Sequence, residues 1–410
     1  MIKLNPSKMP PLPILVTSLS VSAALLGDAM LYVVMPSRPE LWHLTIVQVG
    51  ILLSINRLVR LVTNPLSSIF VERYGVYTPF RISLLSSLAV LAAYAFSKNF
   101  IVLVFARLLW GTCWSVLRLV SQWVASDQST KENIGLNLSS NASIIRIGSV
   151  GGAVFGGLLS DYLGYEVAFM LFGIFTLFGF FIWIRRSGYQ HREQLIKKGR
   201  KATEFIGVLK DPNVLILSIA SMLAGLVFSG LIGATLGHFL RYKYGLDFDL
   251  ILITLGVATV TGFALGMKSC AEVFVGPFGG YFSDKYGRYK TLVLSSAFTS
   301  IGLLGLGNLD SLLGIFSILI LVFVMGVMLM MQLLTLVGIV ANDESRSQVF
   351  SVYNTFQDFG SALGPLVGLS LITANLLPMV YSISGVCLFL LILGTCLFLN
   401  KRRPTLVGTT

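Results

Sequence analysis

The stretch Gly280–Lys290 reads GYFSDKYGRYK and is the most informative segment of the chain for the fold. It is a short polar turn between two long apolar runs. A second stretch, Ser68–Gly75, reads SIFVERYG and follows the second apolar run of the chain, as Gly280–Lys290 follows the eighth. Both stretches contain an acidic residue, a basic residue, a tyrosine and a glycine in succession. They predict one structural unit that is present twice.

The two stretches are offset by 212 positions, from Glu72 to Asp284. The same offset relates other prolines and glycines, namely Pro65 to Pro277, Gly148 to Gly360, Gly152 to Gly364 and Gly156 to Gly368. A constant offset over so much of the chain indicates that one half is a duplicate of the other.

The solvent around most of the chain must be lipid, because 55% of its 410 residues are hydrophobic and only 12% are charged. Runs long enough to cross a bilayer are expected in all-helical form. They begin near Leu12, Ile46, Phe80, Phe100, Leu138, Val167, Val214, Leu250, Thr291, Leu312, Val349 and Leu377. The fold class is therefore an all-α membrane protein of about twelve transmembrane helices.

A basic linker, residues 186–212, divides the runs six and six. We expect an N-terminal six-helix bundle at 1–185 and a C-terminal six-helix bundle at 213–410. Within the linker, Leu195, Ala202, Ile206 and Leu209 recur at helical spacing among Lys and Arg, which predicts a short helix on the membrane surface.

The distribution of basic residues predicts the topology. If the N-terminus is cytoplasmic, twenty of the 30 Lys and Arg lie on that face, and only Arg38, Lys98, Arg241 and Lys243 lie on the other. By the positive-inside rule both termini and the linker are cytoplasmic, in the cell inner (plasma) membrane. The formal net charge of +12 thus reflects topology, and no nucleic-acid partner is expected.

The turn Gly280–Lys290 resembles the cytoplasmic loop signature of the major facilitator superfamily, and the matching residues are Gly280, Asp284, Lys285, Gly287 and Arg288. Arg107–Gly111 and Gly148–Gly157 are similar to family segments of helices 4 and 5, with Ala153 in place of a proline. The resemblance implies two six-helix bundles around a central cavity, with helices 3, 6, 9 and 12 outside. In the family the helix 5 segment is associated with exporters, although such glycines also simply allow close helix packing.

Nine charged residues fall inside apolar runs that the resemblance places near the cavity. They are Arg57, Arg60, Arg107, Arg118, Arg146, Lys268, Asp28, Glu272 and Asp358. A lone charge at mid-bilayer costs roughly 2.5 to 3.5 kcal/mol, so each needs a partner or water. The repeat maps Arg60 onto Glu272 and Arg146 onto Asp358. Because the family packs helix 2 on helix 11 and helix 5 on helix 8, the expected coupling or gating pairs are Arg60 with Asp358 and Arg146 with Glu272. Asp28 and Arg107 both lie in the outer thirds of cavity helices, which allows a third pair.

Arg57 and Lys268 are at similar depth across the repeat, which favours a two-cation clamp for an anion. The alternative is that Lys268 pairs with Glu272 one turn along and that Arg57 turns to a backbone carbonyl. Arg118, near a helix end, either joins the site or reaches water. Polar groups inside the runs could orient a solute or only join helices. The substrate-binding candidates are Arg57, Lys268, Arg118, Asn56 and Gln332.

The most consistent function is a secondary transporter that moves a small organic anion by alternating access. Carboxylates, phosphorylated metabolites and carboxylate metal chelators are the candidate substrates, a coupling proton is possible, and a monomer is expected. The alternative is a proton-coupled multidrug exporter; a receptor on a transporter scaffold is a third class. No catalytic triad-like arrangement, metal-ligand spacing or phosphate-cradling loop occurs, so no enzyme, metal or cofactor is expected. His238 and the four cysteines are interpreted as packing residues.

Overall fold

The structure, a computed structural model, describes residues 10–129, 134–186, 207–250, 253–275, 285–306, 308–340, 346–371 and 374–401. This part of the chain is almost entirely helical, which confirms the all-α fold class. The long helices are α1 (Leu12–Ser37), α2 (Ile46–Tyr74), α3 (Tyr77–Phe96), α4 (Phe100–Asp127), α5 (Ile134–Leu163), α6 (Tyr165–Arg186), α7 (Pro212–Tyr244), α8 (Val257–Phe274), α9 (Arg288–Leu306), α10 (Leu312–Val340), α11 (Arg346–Pro365) and α12 (Leu377–Lys401). Most of the basic linker lies outside the described residues.

Ten of these helices are long and apolar enough to cross a membrane. The other two are α8 and α11, which contain charged residues that lower their apolar character. Lys268 and Glu272 lie in α8, and Asp358 lies in α11. Both helices are among those expected to hold functional charges.

The apolar run near Leu250 does not begin as a helix, so that boundary was wrong. Asp247–Leu250 (β1) and Ile253–Gly256 (β2) pair as an antiparallel hairpin, in which Phe248 lies opposite Leu255. The helix α8 starts only at Val257. Phenylalanine, isoleucine and threonine suit a strand as well as an apolar helix, and a short run cannot separate the two.

The chain forms two compact units. Unit 1 consists of Met1–Thr45, Val59–Lys197 and Gly245–Gly266, and unit 2 of Ile46–Leu58, Lys198–Tyr244 and Met267–Thr410. Each unit therefore contains most of one half of the sequence together with a segment of the other half. The linear sequence did not reveal this exchange, because apolar runs show which segments are buried and not which segments are neighbours.

In unit 1, α1 packs against α5 and α6, and α3 packs against α4 and α6. The α1–α5 contact depends on glycines. A Cβ atom on Gly148 would collide with the carbonyl oxygen of Ser22, and one on Gly152 with that of Leu26. The two backbones can thus approach closely only because these positions lack side chains.

Unit 2 repeats this arrangement with the equivalent residues. A Cβ atom on Gly360 in α11 would collide with the carbonyl oxygen of Met222 in α7, and one on Gly364 would collide with the backbone of Gly230. Since Gly360 and Gly364 are the repeat partners of Gly148 and Gly152, the duplicated glycines serve the same close helix crossing in both units. This geometry supports the packing interpretation of the glycine motif.

Two segments of unit 2 depart from α-helical hydrogen bonding. Gly225–Ile232, within α7, and Leu366–Leu371, which continues α11, are π-helical. Gly230 of the first segment lies at the crossing with α11. Such turns are rare and recur at functional sites, because they introduce a residue without breaking the helix.

Candidate functional site

The best-defined charged cluster lies in unit 1, around Arg107 of α4. This side chain is fully buried. One guanidinium nitrogen donates to Asp28 Oδ1 in α1 and to the Tyr94 hydroxyl at 3.3 Å, and the other donates to the Tyr32 hydroxyl at 3.4 Å. The guanidinium also lies 5.5 Å from the centre of the Tyr32 ring. The expected Asp28–Arg107 pair is therefore present.

The surroundings of this pair explain why it can be buried. Two tyrosine hydroxyls and one carboxylate accept the donors of Arg107, so the buried cation has both a counter-charge and hydrogen bonds. The Asp28 side chain keeps 14% of its surface exposed, whereas Arg107 has none. The carboxylate is thus the more accessible member of the pair.

In unit 2, Arg57 donates from a guanidinium nitrogen to the carbonyl oxygen of Ser361 in α11, at 3.2 Å. Its neighbour Asn56 is 3% exposed. The Asn56 side-chain oxygen has no hydrogen-bond partner among the described residues. A buried acceptor of this kind is costly unless a donor from water or a solute satisfies it.

Lys268 of α8 also has a contact within unit 2. Its ammonium nitrogen lies 3.8 Å from Glu272 Oε1, one turn further along the same helix. This distance permits charge attraction but is longer than a hydrogen bond. For both Arg57 and Lys268 the geometry matches the alternative weighed in the sequence analysis, and their role as an anion clamp stays a prediction.

Two other binding candidates occupy different environments. Arg118 in α4 is half-buried. Gln332 in α10 is 1% exposed, and its side-chain oxygen accepts a hydrogen bond from the Ser295 hydroxyl of α9 at 2.9 Å. That bond joins two neighbouring helices of unit 2. The structure thus gives Gln332 a packing contact, and its binding role stays a prediction.

The remaining charged candidates are divided between the units. Arg60 in α2 and Arg146 in α5 belong to unit 1, whereas Glu272 and Asp358 belong to unit 2. The expected pairs of Arg60 with Asp358 and of Arg146 with Glu272 would therefore join residues of different units. Both pairs stay predictions.

Sequence reasoning missed Asp161, at the end of α5. One of its oxygens accepts hydrogen bonds from the backbone nitrogen and the hydroxyl of Thr259, both at 2.7 Å, and the other lies 3.4 Å from Arg38. Thr259 is in the first turn of α8, so a side chain from another helix caps the start of α8. A Cβ atom at Gly256 would collide with the carboxylate. This glycine, directly before the helix, was the available signal.

Only part of the loop signature Gly280–Lys290 lies within the described residues. Gly280 and Asp284 lie outside the described residues, whereas Lys285, Gly287 and Arg288 are described and exposed. Gly287 has φ of 93° and its repeat partner Gly75 has φ of 73°, and a Cβ atom at either would meet no neighbour within 4 Å. The glycines are therefore required for their left-handed backbone, not for space.

Within the described ranges no group of three or more His, Cys, Asp or Glu could hold a metal ion.

Comparison with known proteins gives consistent matches. The family model of the Major Facilitator Superfamily matches residues 17–269 and 255–409. The "Uncharacterized MFS-type transporter YybF" of Bacillus subtilis (strain 168) is 26% identical over 288 residues, which cover 67% of each chain. The "Multidrug resistance protein MdtG" of Citrobacter koseri is 23% identical over 262 residues, which cover 64% of this chain and 63% of that protein.

A solved structure matches over nearly the whole chain. It is a bacterial homolog of the human lysosomal transporter Spinster, in an inward-facing and occupied conformation, with a TM-score of 0.75. The match covers 95% of this chain and 96% of that one, at 15% sequence identity. At this identity the likeness concerns the fold alone.

Proposed function

The chain belongs to the major facilitator superfamily, and on this premise we propose that it is a secondary transporter that moves a small organic anion by alternating access. It is a membrane transport protein and not an enzyme. The substrate class that we propose comprises carboxylates, phosphorylated metabolites and carboxylate metal chelators.

The charge balance of the membrane-spanning helices carries the anion proposal. Six basic and three acidic residues lie well inside the helices, which leaves an excess of three positive charges. Arg107 lies against Asp28, and Lys268 against Glu272. The third acid is Asp358, and the other four basic residues are Arg57, Arg60, Arg118 and Arg146. Because excess charge within a membrane is costly, a solute of opposite charge is favoured there.

Arg57 is the main binding candidate. One of its guanidinium nitrogens donates to the Ser361 carbonyl. The guanidinium carries five N–H donors in a planar fork, a geometry that suits a carboxylate or a phosphate. The adjacent Asn56 oxygen, which is buried, would accept a hydrogen bond from a hydroxyl of the solute. Lys268 would contribute a second charge, because its 3.8 Å contact with Glu272 is loose enough to exchange for a contact with the solute.

Asp28 is the proposed coupling residue. A proton that binds its carboxylate would remove the charge that faces Arg107 and weaken this ion pair. The partial exposure of Asp28 provides access for that proton. Proton binding would then be coupled to solute transport, because α1 and α4 would make different contacts when Asp28 is protonated and when it is ionised.

A second candidate function is a proton-coupled multidrug exporter. The similarity to the multidrug resistance protein MdtG favours it. An exporter of cationic drugs would need acidic groups in its binding site, however, and cations outnumber acids in the membrane helices. The charge balance therefore favours an anionic solute.

Transport into vesicles that contain the purified protein tests the proposal. Labelled carboxylates and phosphorylated sugars should accumulate when a pH gradient is imposed, and Arg57→Ala should abolish this accumulation. Lys98→Ala, which removes an exposed charge in the loop after α3, is the matched control. Export of a cationic dye such as ethidium, without transport of any anion, would overturn the proposal in favour of the exporter.

We also propose that the protein is a monomer in the plasma membrane. Both termini would lie in the cytoplasm, because the positive-inside rule supports this orientation. In a variant without native cysteines, Lys98→Cys should react with an impermeant maleimide in intact cells. Lys210→Cys should react only after permeabilisation. The reverse pattern would invert the topology.

A further inference from the structure

We propose that a groove between α9 and α12 binds one anionic phospholipid, with the phosphate at its basic rim and an acyl chain along its apolar wall. The groove has a volume of about 560 Å³ and lies between the first two turns of α9 and the last turns of α12. It is distinct from every charged group discussed above, apart from Arg288 of the loop signature. All of its lining residues belong to unit 2.

The rim of the groove is basic and polar. Arg288 and Lys290 line it at the start of α9, and Asn400 lines it at the end of α12. Both basic side chains are exposed. Since α9 and α12 are long enough and apolar enough to cross the membrane, their ends lie where the lipid headgroups lie. The rim therefore presents two positive charges at the depth of the phosphates.

The wall below the rim is apolar. It is formed by Val293 and Leu294 of α9 and by Leu393 and Leu397 of α12. Leu294 is 47% exposed and Leu397 is 59% exposed, so the wall is open to its surroundings. These residues lie one to two turns deeper along the helices than the basic rim, in the direction of an acyl chain.

This order of charge and apolar surface distinguishes a lipid from a soluble anion. A free phosphate or nucleotide would use the rim but would leave the wall in contact with other lipids. A phospholipid matches both parts at once. Basic pockets between transmembrane helices suit anionic headgroups, and each positive charge near the membrane surface strengthens binding about fivefold.

Native mass spectrometry of the purified full-length chain tests the proposal. Dioleoyl phosphatidylglycerol and dioleoyl phosphatidylcholine, which share acyl chains and differ in charge, are titrated separately. We expect one phosphatidylglycerol to be retained with at least tenfold preference. The double variant Arg288→Gln with Lys290→Gln should abolish this preference, because two charges at about fivefold each account for about twenty-fivefold.

Two further variants keep the test decisive. Leu397→Trp fills the wall without a change of charge and should also weaken retention of phosphatidylglycerol. Lys210→Gln removes an exposed charge just before α7, in the same unit, and should have no effect. Equal retention of the two lipids would overturn the proposal. So would equal losses in the Lys210 variant and the double variant, or full competition by inorganic phosphate.

Discussion

Asp161 at the end of α5 and Thr259 in the first turn of α8 are joined by two hydrogen bonds of 2.7 Å to the same carboxylate oxygen. The two residues are 98 positions apart in the chain. Because the first backbone N–H groups of a helix have no partner within the helix, this carboxylate stabilises the start of α8.

Replacement of Asp161 by alanine should lower the free energy of unfolding by about 1 kcal/mol, the usual cost of a lost N-cap. Thr259→Val removes the hydroxyl bond and keeps the backbone bond, so its effect should be smaller. Thermal unfolding of the purified variants gives both values. If the two substitutions were equally harmful, the backbone bond would not be the stabilising contact.

Replacement of Arg107 by alanine should reduce the amount of folded protein severely, since an isolated partner of a buried pair costs about 3 to 5 kcal/mol. Asp28→Asn should be better tolerated, because its neutral amide still accepts from Arg107. This variant should lose the dependence of transport on external pH. Unaltered pH dependence in Asp28→Asn, at normal membrane levels, would exclude Asp28 as the coupling residue.

The clamp hypothesis predicts that Arg57→Ala and Lys268→Ala weaken solute binding more than they reduce protein abundance. Arg57→Lys should be less harmful, unless a bidentate contact to the anion is required. The apparent affinity for transport and the membrane level are measured together. Unchanged transport kinetics in both alanine variants would contradict the clamp hypothesis.

Reciprocal exchange tests the predicted bridge between Arg60 and Asp358. Arg60→Asp alone and Asp358→Arg alone should each abolish transport, because each places like charges together. The double exchange restores the ion pair with its two charges reversed, so it should recover part of the transport activity. A double variant no better than the worse single variant, at normal abundance, would mean that the two residues do not meet.

Gly152→Ala should destabilise the protein by about 1 to 3 kcal/mol, since the new methyl group would collide with the Leu26 carbonyl. Gly173→Ala is a matched control within α6 of the same unit, because a Cβ atom there meets nothing within 4 Å. That control should be neutral or slightly stabilising. Equal effects of the two substitutions on thermal unfolding would show that the α1–α5 crossing is not close in solution.

The position of most helices followed from the sequence, because a bilayer demands long apolar runs and each such run must form its own backbone hydrogen bonds. The hairpin before α8 was not predictable in this way. Its second strand, Ile253–Gly256, is as apolar as a helix would be, and the Asp161 carboxylate that stabilises the helix start comes from another part of the chain. A local pattern contains no information about such a partner.

By itself, the sequence determined the helical membrane fold, the duplication and the set of charged residues that need partners. It also identified the Asp28–Arg107 pair, because both residues lie in the outer thirds of their helices. The contacts of Arg57 with the Ser361 carbonyl and of Lys268 with Glu272 became visible only in the tertiary structure, and the anion clamp stays a prediction. The reason is physical. The cost of a charge in the membrane depends on its own position, whereas the choice of its partner depends on distances between helices that are far apart in the chain.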